Sequence, residues 1–411
     1  MHILYVSQYF PPEMGAPGAR VYELSREWVR DGHRVTVLTG FPNHPAGRVP
    51  EQYRRLLRRG TARERIEGID VVRTWLYPAP NRFPIERIVN YASFFASAGL
   101  RGLWLTRPDV VIGTSPQLLV GLAAWLLARR FRRPYVFEVR DLWPESLPAS
   151  GISHVGSPLY RVLDRMAGFL YRSADLVVPV AEPFRAVIAS HAPGARMVVI
   201  ENGVDTTLFR PQPDVPRIRE KLGLHGRFVV SYIGTIGAAH GLDTILRAAA
   251  LLKHRISSLL FLLVGEGAER EKLEAGARAL GLTNVRFVGQ RPRGEIPEYI
   301  AASDVCLVLL RRSALFELVL PSKMLEFMAS ARPVIVGVGG LTRSLVEESG
   351  GGICVTPEDH GELAEAVCRF HAEPDLGPRL GGNGRRFVLE RFTREAKARA
   401  YLAALHELAC A

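Results

Sequence analysis

The chain is poor in cysteine, has no lysine in its first 200 residues, and lacks any long apolar run. Its four cysteines, Cys306, Cys354, Cys368 and Cys410, fall in the last third, without a CxxC pair or metal-ligand spacing. A disulfide framework and a zinc site are thereby excluded, and no metal site is expected. The longest apolar stretch, 118–128, is too short for a bilayer span, which takes about 20 residues. The opening run Met1–Val6 reaches Pro11 and Pro12 too soon for the apolar core of an export signal, so a cytoplasmic chain is expected. No strand-like run is followed by GxGxxG with an acid about 20 residues on, which removes a nicotinamide-dependent dehydrogenase.

Charge is distributed unevenly. Residues 1–200 hold 26 Arg and 16 Asp plus Glu, so they carry +10 of the formal +12. A one-sided basic surface suits an anionic membrane face, a phosphate-bearing acceptor or nucleic acid, and also a genome that writes Arg for any solvated cation. Membrane contact has candidate segments in the run Arg54–Arg59 and in 83–105, which is rich in aromatics and carries Arg87 and Arg101. Buried helices of a first domain account for those apolar residues equally well.

Short apolar runs alternate with amphipathic helical patterns along the whole chain, the pattern of an α/β protein with parallel sheets. In the first half, 3–7 reads as strand, 18–31 as helix and 35–39 as strand, with a further strand–helix–strand over 110–113, 118–130 and 135–139. Strands at 176–179 and 197–200 follow, with a helix at 184–190 between them. Residues 206–217 carry Pro211, Pro213 and Pro216 with little periodicity, which marks an interdomain connection. A second alternating series then runs from the strand 228–233 to the strand 334–337, and the remainder is helical. The expected division is 1–205, 206–392 and a final segment 393–411 that crosses back onto the first domain.

In open α/β sheets, ligands bind beyond the carboxyl ends of the strands. Four loops there stand out in the second half. Gly234-Thr235-Ile236-Gly237-Ala238-Ala239-His240-Gly241 opens a helix whose free amides suit a pyrophosphate. Gly265-Glu266-Gly267 and Gly289-Gln290-Arg291-Pro292-Arg293 follow the next two strands. In the fourth loop Pro321 fixes the turn before Ser322, Lys323 and Met324, and Glu326 lies one turn along the helix. A lysine at a helix start is opposed by the helix dipole unless an anion sits there, so Lys323 reads as a phosphate contact. Glu326 reads equally as a ligand contact or a capping carboxylate. In the first half, Arg140-Asp141 ends a strand ahead of Trp143, as a reacting pair or as a structural ion pair.

The segment Pro321-Ser322-Lys323-Met324-Leu325-Glu326-Phe327-Met328-Ala329, the strand and loop Tyr232–Leu242, the Asn202-Gly203-Val204-Asp205 turn and Arg140-Asp141-Leu142-Trp143-Pro144 together resemble bacterial glycosyltransferase family 4. The likeness spans nearly the whole chain and is nearest to members that assemble O-antigen, capsule and exopolysaccharide, including those assigned to fucosamine and colanic acid. It implies a GT-B fold, two Rossmann-like domains facing a central cleft. It also implies a nucleoside-diphosphate-sugar co-substrate with no further cofactor, retention of anomeric configuration, and no essential metal.

The resemblance further implies that Glu326 holds the donor ribose. Where many relatives have a second glutamate eight positions earlier this chain has Leu318, and Glu317 at nine is taken for the donor sugar. The two cations that relatives aim at the diphosphate fall on Thr235 and His240, which leaves charge to Lys323, to His240 if protonated, and to loop amides. Gly15 is taken for a donor-phosphate contact, and Gly18, Arg20 and Trp143 for the acceptor. Arg140, Asp141, Glu317 and Lys323 are the catalytic candidates, and Gly234, Thr235, Gly237, His240, Gly265, Glu266, Arg291, Arg293, Pro321, Ser322 and Met324 complete the donor set. The partners implied are a nucleotide sugar, taken by resemblance to be UDP-linked, a glycan or lipid-linked acceptor, and an anionic membrane surface, but not nucleic acid. The alternatives are a nucleotide-sugar epimerase on the same fold and a non-enzymatic nucleic-acid-binding protein.

Overall fold

The computed structural model describes residues 1–13, 16–43, 47–79, 84–149, 154 and 156–410. The chain divides into two compact units, Met1–Asn202 with Arg394–Ala411, and Gly203–Thr393. The expected boundary at 205 thus moves by three residues, and the C-terminal segment does belong to the first unit.

The first unit is built on strands β1 (His2–Val6), β2 (Arg34–Gly40), β3 (Thr61–Ile66), β4 (Ile69–Thr74), β5 (Val110–Thr114), β6 (Tyr135–Val139) and β7 (Leu176–Pro179). They form one sheet in the order β3-β4-β2-β1-β5-β6-β7. Only β3 runs antiparallel, pairing Thr61 with Thr74 and Ile66 with Ile69. The β3–β4 hairpin is missing from the sequence reading because β3, Thr-Ala-Arg-Glu-Arg-Ile, is an edge strand whose charges hide its alternation. Ile3, Tyr5, Ile112 and Val136 pack against Trp28 of the helix Ala16–Arg30 and against Tyr401 and Leu405 of the helix Arg394–Cys410. Trp28 Nε1 donates to the Ala398 carbonyl at 3.0 Å, and Arg394 pairs with Glu23 at 2.7 Å, both nearly buried. This is what ties the last helix to the first unit.

The second unit holds β8 (Phe228–Ile233), β9 (Leu259–Val264), β10 (Val285–Gly289), β11 (Val305–Leu309), β12 (Val334–Gly337) and β13 (Gly352–Cys354). These strands are parallel, in the order β10-β9-β8-β11-β12-β13. Continuous apolar strands such as Leu259–Val264 are buried on both faces, as helices covering both sides of a parallel sheet require. Part of the expected linker is helical: Asp214 caps Val215–Lys221 by accepting from the Arg217 amide at 3.1 Å. Pro216 sits in the first turn of that helix, where a missing N–H costs nothing.

Candidate active site

The strand order of the second unit reverses between β8 and β11, so the loop after β8 lies where such sheets take ligands. That loop is held by its neighbour. A Cβ on Gly265 would fall 1.9 Å from the Gly234 carbonyl oxygen, and one on Gly267 2.2 Å from that of Ile236. Gly234 and Gly265 adopt φ of +146° and +147°, which side chains disfavour. The Ile236 amide donates to the Glu266 carbonyl at 2.9 Å. These glycines therefore let two ligand-facing loops lie backbone to backbone. From the other side, Arg311 Nε donates to the Ala238 carbonyl at 2.6 Å, and its guanidinium pairs with Glu358.

Over Gly234 lies Lys323, in the first turn of the helix Ser322–Ala329. Its ammonium donates to the Tyr232 hydroxyl at 2.8 Å and sits 4.0 Å from the centroid of that ring. The Tyr232 hydroxyl in turn donates to the Thr235 carbonyl at 2.7 Å. Burial lowers the Lys323 pKa to about 7, with Glu326 opposing the fall. His240 stacks edge-on against Tyr232 at 5.9 Å, and its Nδ1 meets the Gly237 carbonyl at 3.3 Å. Burial, then the Lys323 charge, lower its pKa to about 3. At neutral pH the imidazole is uncharged, so the condition on which His240 was to supply charge is not met.

On the same helix, Glu326 Oε1 accepts from Arg293 at 3.2 Å, and the Arg293 guanidinium lies 5.1 Å over the Phe209 ring. Glu317 is exposed on the short turn Phe316–Leu318, packed against Gly339 and Gly340, where a Cβ on Gly340 would meet the Glu317 carbonyl at 2.1 Å. That places its carboxylate beside the start of the helix Gly340–Ser349, where the dipole favours an anion.

In the first unit, Tyr5 and Thr114 donate to Glu138 Oε1 at 2.7 and 3.1 Å, and Arg20 pairs with Oε2 at 3.0 Å. Burial opposes ionisation of Glu138, yet Arg20, Arg140 and the Tyr5 hydroxyl hold its carboxyl below the usual range. Beyond β6, the Ser115 hydroxyl accepts from the amides of Arg140 and Asp141 at 2.8 and 3.2 Å, fixing the turn. The Asp141 side chain is exposed; the protein around it still raises its pKa, with Arg140 opposing.

A family model described as glycosyl transferase 4-like domain matches residues 15–203, and one described as glycosyl transferases group 1 matches residues 214–387. The chain belongs to the group 1 glycosyltransferases. It is 30% identical to the probable glycosyltransferase WbjE of Pseudomonas aeruginosa over 70% of this chain and 72% of that protein. Identity is 26% to WcaI of Escherichia coli, described as a putative colanic acid biosynthesis glycosyl transferase, over 89% of this chain and 91% of that one. HepE of Anabaena, solved in complex with UDP and glucose, superposes with a TM-score of 0.75 at 20% identity, over 99% of this chain and 100% of HepE. The two-unit architecture is the GT-B fold.

In this glycosyltransferase the fold gathers Gly234, Thr235, Gly237, His240, Pro321, Ser322, Lys323 and Glu326 at the end of β8 and the start of one helix, with Arg293 beside them through Glu326. The structure places the other expected residues as follows. Arg20 does not reach an acceptor surface: it is 1% exposed, and its guanidinium also donates to the carbonyls of Ile200 and Glu201 and to Asn202. Met324 turns its side chain into the core. Glu266 pairs with Arg270 against Gly289, and Arg291 lies in a separate groove beside Lys221, Arg286 and Tyr299. Gly18 is buried within the helix Ala16–Arg30, and Trp143 is half-buried. Gly15 lies outside the described residues. Tyr232 was missing from the expected set because a tyrosine in the apolar run Phe-Val-Val-Ser-Tyr-Ile reads as core; its place as the last residue but one of β8 was the available signal.

Proposed function

We propose that this enzyme moves a sugar, with retention and without a metal, from a UDP-linked donor to a glycan or polyprenyl-diphosphate-linked acceptor in cell-surface polysaccharide assembly. The observation that carries the donor assignment is the Lys323 ammonium, desolvated over Gly234 at the end of β8 and hydrogen-bonded to the neutral Tyr232 phenol. A cation so placed is unstable without an anion and gains most from a diphosphate. Glu326, one turn on, offers a carboxylate to two vicinal hydroxyls, as on a ribose. The UDP complex of HepE and the polysaccharide role in the name of WcaI support the finer parts of this reading.

When the glycosidic bond to phosphate breaks, negative charge develops on the departing diphosphate. Lys323 and the amides of Thr235 and Gly237 then stabilise it, more strongly in the transition state than in the ground state. The uncharged His240 spends its one ring N–H on the Gly237 carbonyl and packs against Tyr232, so it shapes the loop and adds no charge. Arg140 and Asp141, fixed on Ser115, are the first unit's candidates for orienting the acceptor hydroxyl.

The test is turnover of UDP-sugars with polyprenyl-diphosphate-linked sugar as acceptor, reading the anomer of the new linkage by NMR and repeating with EDTA. Product of unchanged anomeric configuration, unaffected by EDTA, is the expected result. Release of UDP at the same rate without acceptor, an inverted product, or an EDTA-sensitive rate contradicts the proposal.

A further inference from the structure

Large apolar side chains are exposed mainly in one place. Of the fifteen among the described residues, twelve belong to the first unit, and all twelve lie on or beside three of its helices: Pro84–Gly102, Leu118–Phe131 and Pro158–Ser173. These helices pack side by side. The middle one lies against Gly113 and Phe137, whereas the helices Ala16–Arg30 and Arg394–Cys410 pack on Ile112 and Val136. Alternation along a strand puts those two sets on opposite faces of the sheet, so the three helices form a layer of their own.

The helix Pro84–Gly102 is built inside out for a solvated surface. Its inner stripe, Asn90, Phe94 and Ala98, is buried. Its outer stripe is Ile85, Ile88, Val89, Ala92, Ala96 and Leu100, all exposed, where a surface helix ordinarily carries charge. Thirteen residues, 88–100, pass without a single charge. Beyond the helix Trp104 is 63% exposed, and beside it Trp75 and Tyr77 are held by hydrogen bonds to Ser97 and Ser93. Leu126, Leu159, Val162 and Phe169 extend the same outward face.

The rim is cationic. Between 84 and 133 there are seven Arg against Glu86 and Asp109. Arg129, Arg130 and Arg132, at the end of the middle helix, are exposed, as is Arg107. None of the helices is long and apolar enough to cross a membrane. An apolar stripe, aromatic residues with a polar edge and flanking guanidiniums are what the boundary between lipid chains and anionic headgroups accepts. A second copy of the chain fits less well, since two such faces would bring one Arg rim against another.

We propose that this three-helix layer is a docking surface for an anionic phospholipid bilayer, with the helix Pro84–Gly102 lying in the plane of the headgroups. The docking face is built from the first unit and the donor loops from the second. Vesicle binding is read without donor or acceptor, so its failure leaves the transferase reading standing.

The test is flotation of the full chain with phosphatidylcholine vesicles, with and without phosphatidylglycerol, at low and high salt. The expected result is flotation with phosphatidylglycerol at low salt, weakened by salt and by its omission. Arg129→Gln/Arg130→Gln/Arg132→Gln lowers partitioning on the order of 100-fold. Ile85→Ser/Ile88→Ser/Leu100→Ser lowers it at least about tenfold. If the apolar triple variant fails to fold, Ile85→Ser and Trp104→Ser, each at a well-exposed position, carry the test with several-fold losses. A chain that stays unbound at low salt overturns the proposal. So do variants that float like the parent, and apolar substitutions that instead dissolve a dimer seen by light scattering without altering vesicle binding.

Discussion

Lys323 Nζ donates to the Tyr232 hydroxyl at 2.8 Å, above a glycine whose missing Cβ leaves the ammonium its room: a Cβ on Gly234 would sit 2.7 Å from it. Burial depresses the lysine pKa to about 7, so the ligand-free fold carries an unfavourable group that a bound diphosphate would relieve. Lys323→Met should therefore raise the melting temperature of the free protein, by an increment of about 1–2 kcal/mol. The same variant should weaken nucleoside-diphosphate-sugar binding by about 10–100-fold. Calorimetric melting and titration on one preparation check both.

The same pKa gives a pH dependence with a defined sign. An anion at Lys323 raises its pKa, so binding takes up a proton wherever the free lysine is neutral. Affinity for a nucleotide sugar should be constant below about pH 6 and fall as pH rises through 7. From pH 6 to pH 8 the loss is about tenfold, given the free pKa of about 7. A nucleotide sugar is the right probe because its diphosphate has no proton to lose in this range. Lys323→Arg should flatten the profile.

Glu326 and Arg293 form a pair whose side chains are 17% and 39% exposed. Such a pair contributes at most about 1 kcal/mol to the fold. Glu326→Ala should leave melting nearly unchanged while donor affinity falls at least about tenfold, the loss expected of a charged hydrogen bond. A 2′-deoxyribose donor should bind the parent more weakly and the variant no differently.

Gly265→Ala tests the interlocking of the two loops. The new Cβ would collide with the Gly234 carbonyl at a φ of +147°, so a loss of roughly 2–4 kcal/mol is expected in thermal unfolding. Donor binding should fall with it, because Gly234 cannot keep its place.

Arg20→Ala separates a structural role from an acceptor contact. Removing one partner from the buried Arg20–Glu138 pair leaves a buried carboxylate and should cost about 3–5 kcal/mol. The account predicts a lower melting temperature in the absence of any substrate. A variant that melts normally and changes only the KM for acceptor would restore the acceptor reading.

The alternation of apolar runs and amphipathic helices made the central strands of both sheets legible from sequence, because parallel strands buried on two faces carry an apolar signature, whereas β3, β4 and β13, toward the sheet edges, were missed. Lys323 and Glu326 were legible too, since a cation at a helix start and a carboxylate one turn later are local facts. What stayed hidden depended on where side chains turn in three dimensions. Arg20 follows Gly15 and Gly18 in the sequence, and only the fold reveals that it lies within a helix with its guanidinium turned inward to Glu138. Tyr232 reads as core until Lys323, 91 positions away, is brought onto its ring. The charge state of His240 is set by burial and by Lys323, neither of which a sequence displays.

The most direct measurement is thermal melting of the parent chain and of Glu326→Ala against UDP, GDP, ADP and CMP, since a ligand that binds only the folded state raises the midpoint. The account predicts a rise with UDP that is lost in Glu326→Ala. No shift with any nucleoside diphosphate, or a shift that survives Glu326→Ala and Lys323→Met alike, would contradict the donor site described at the end of β8.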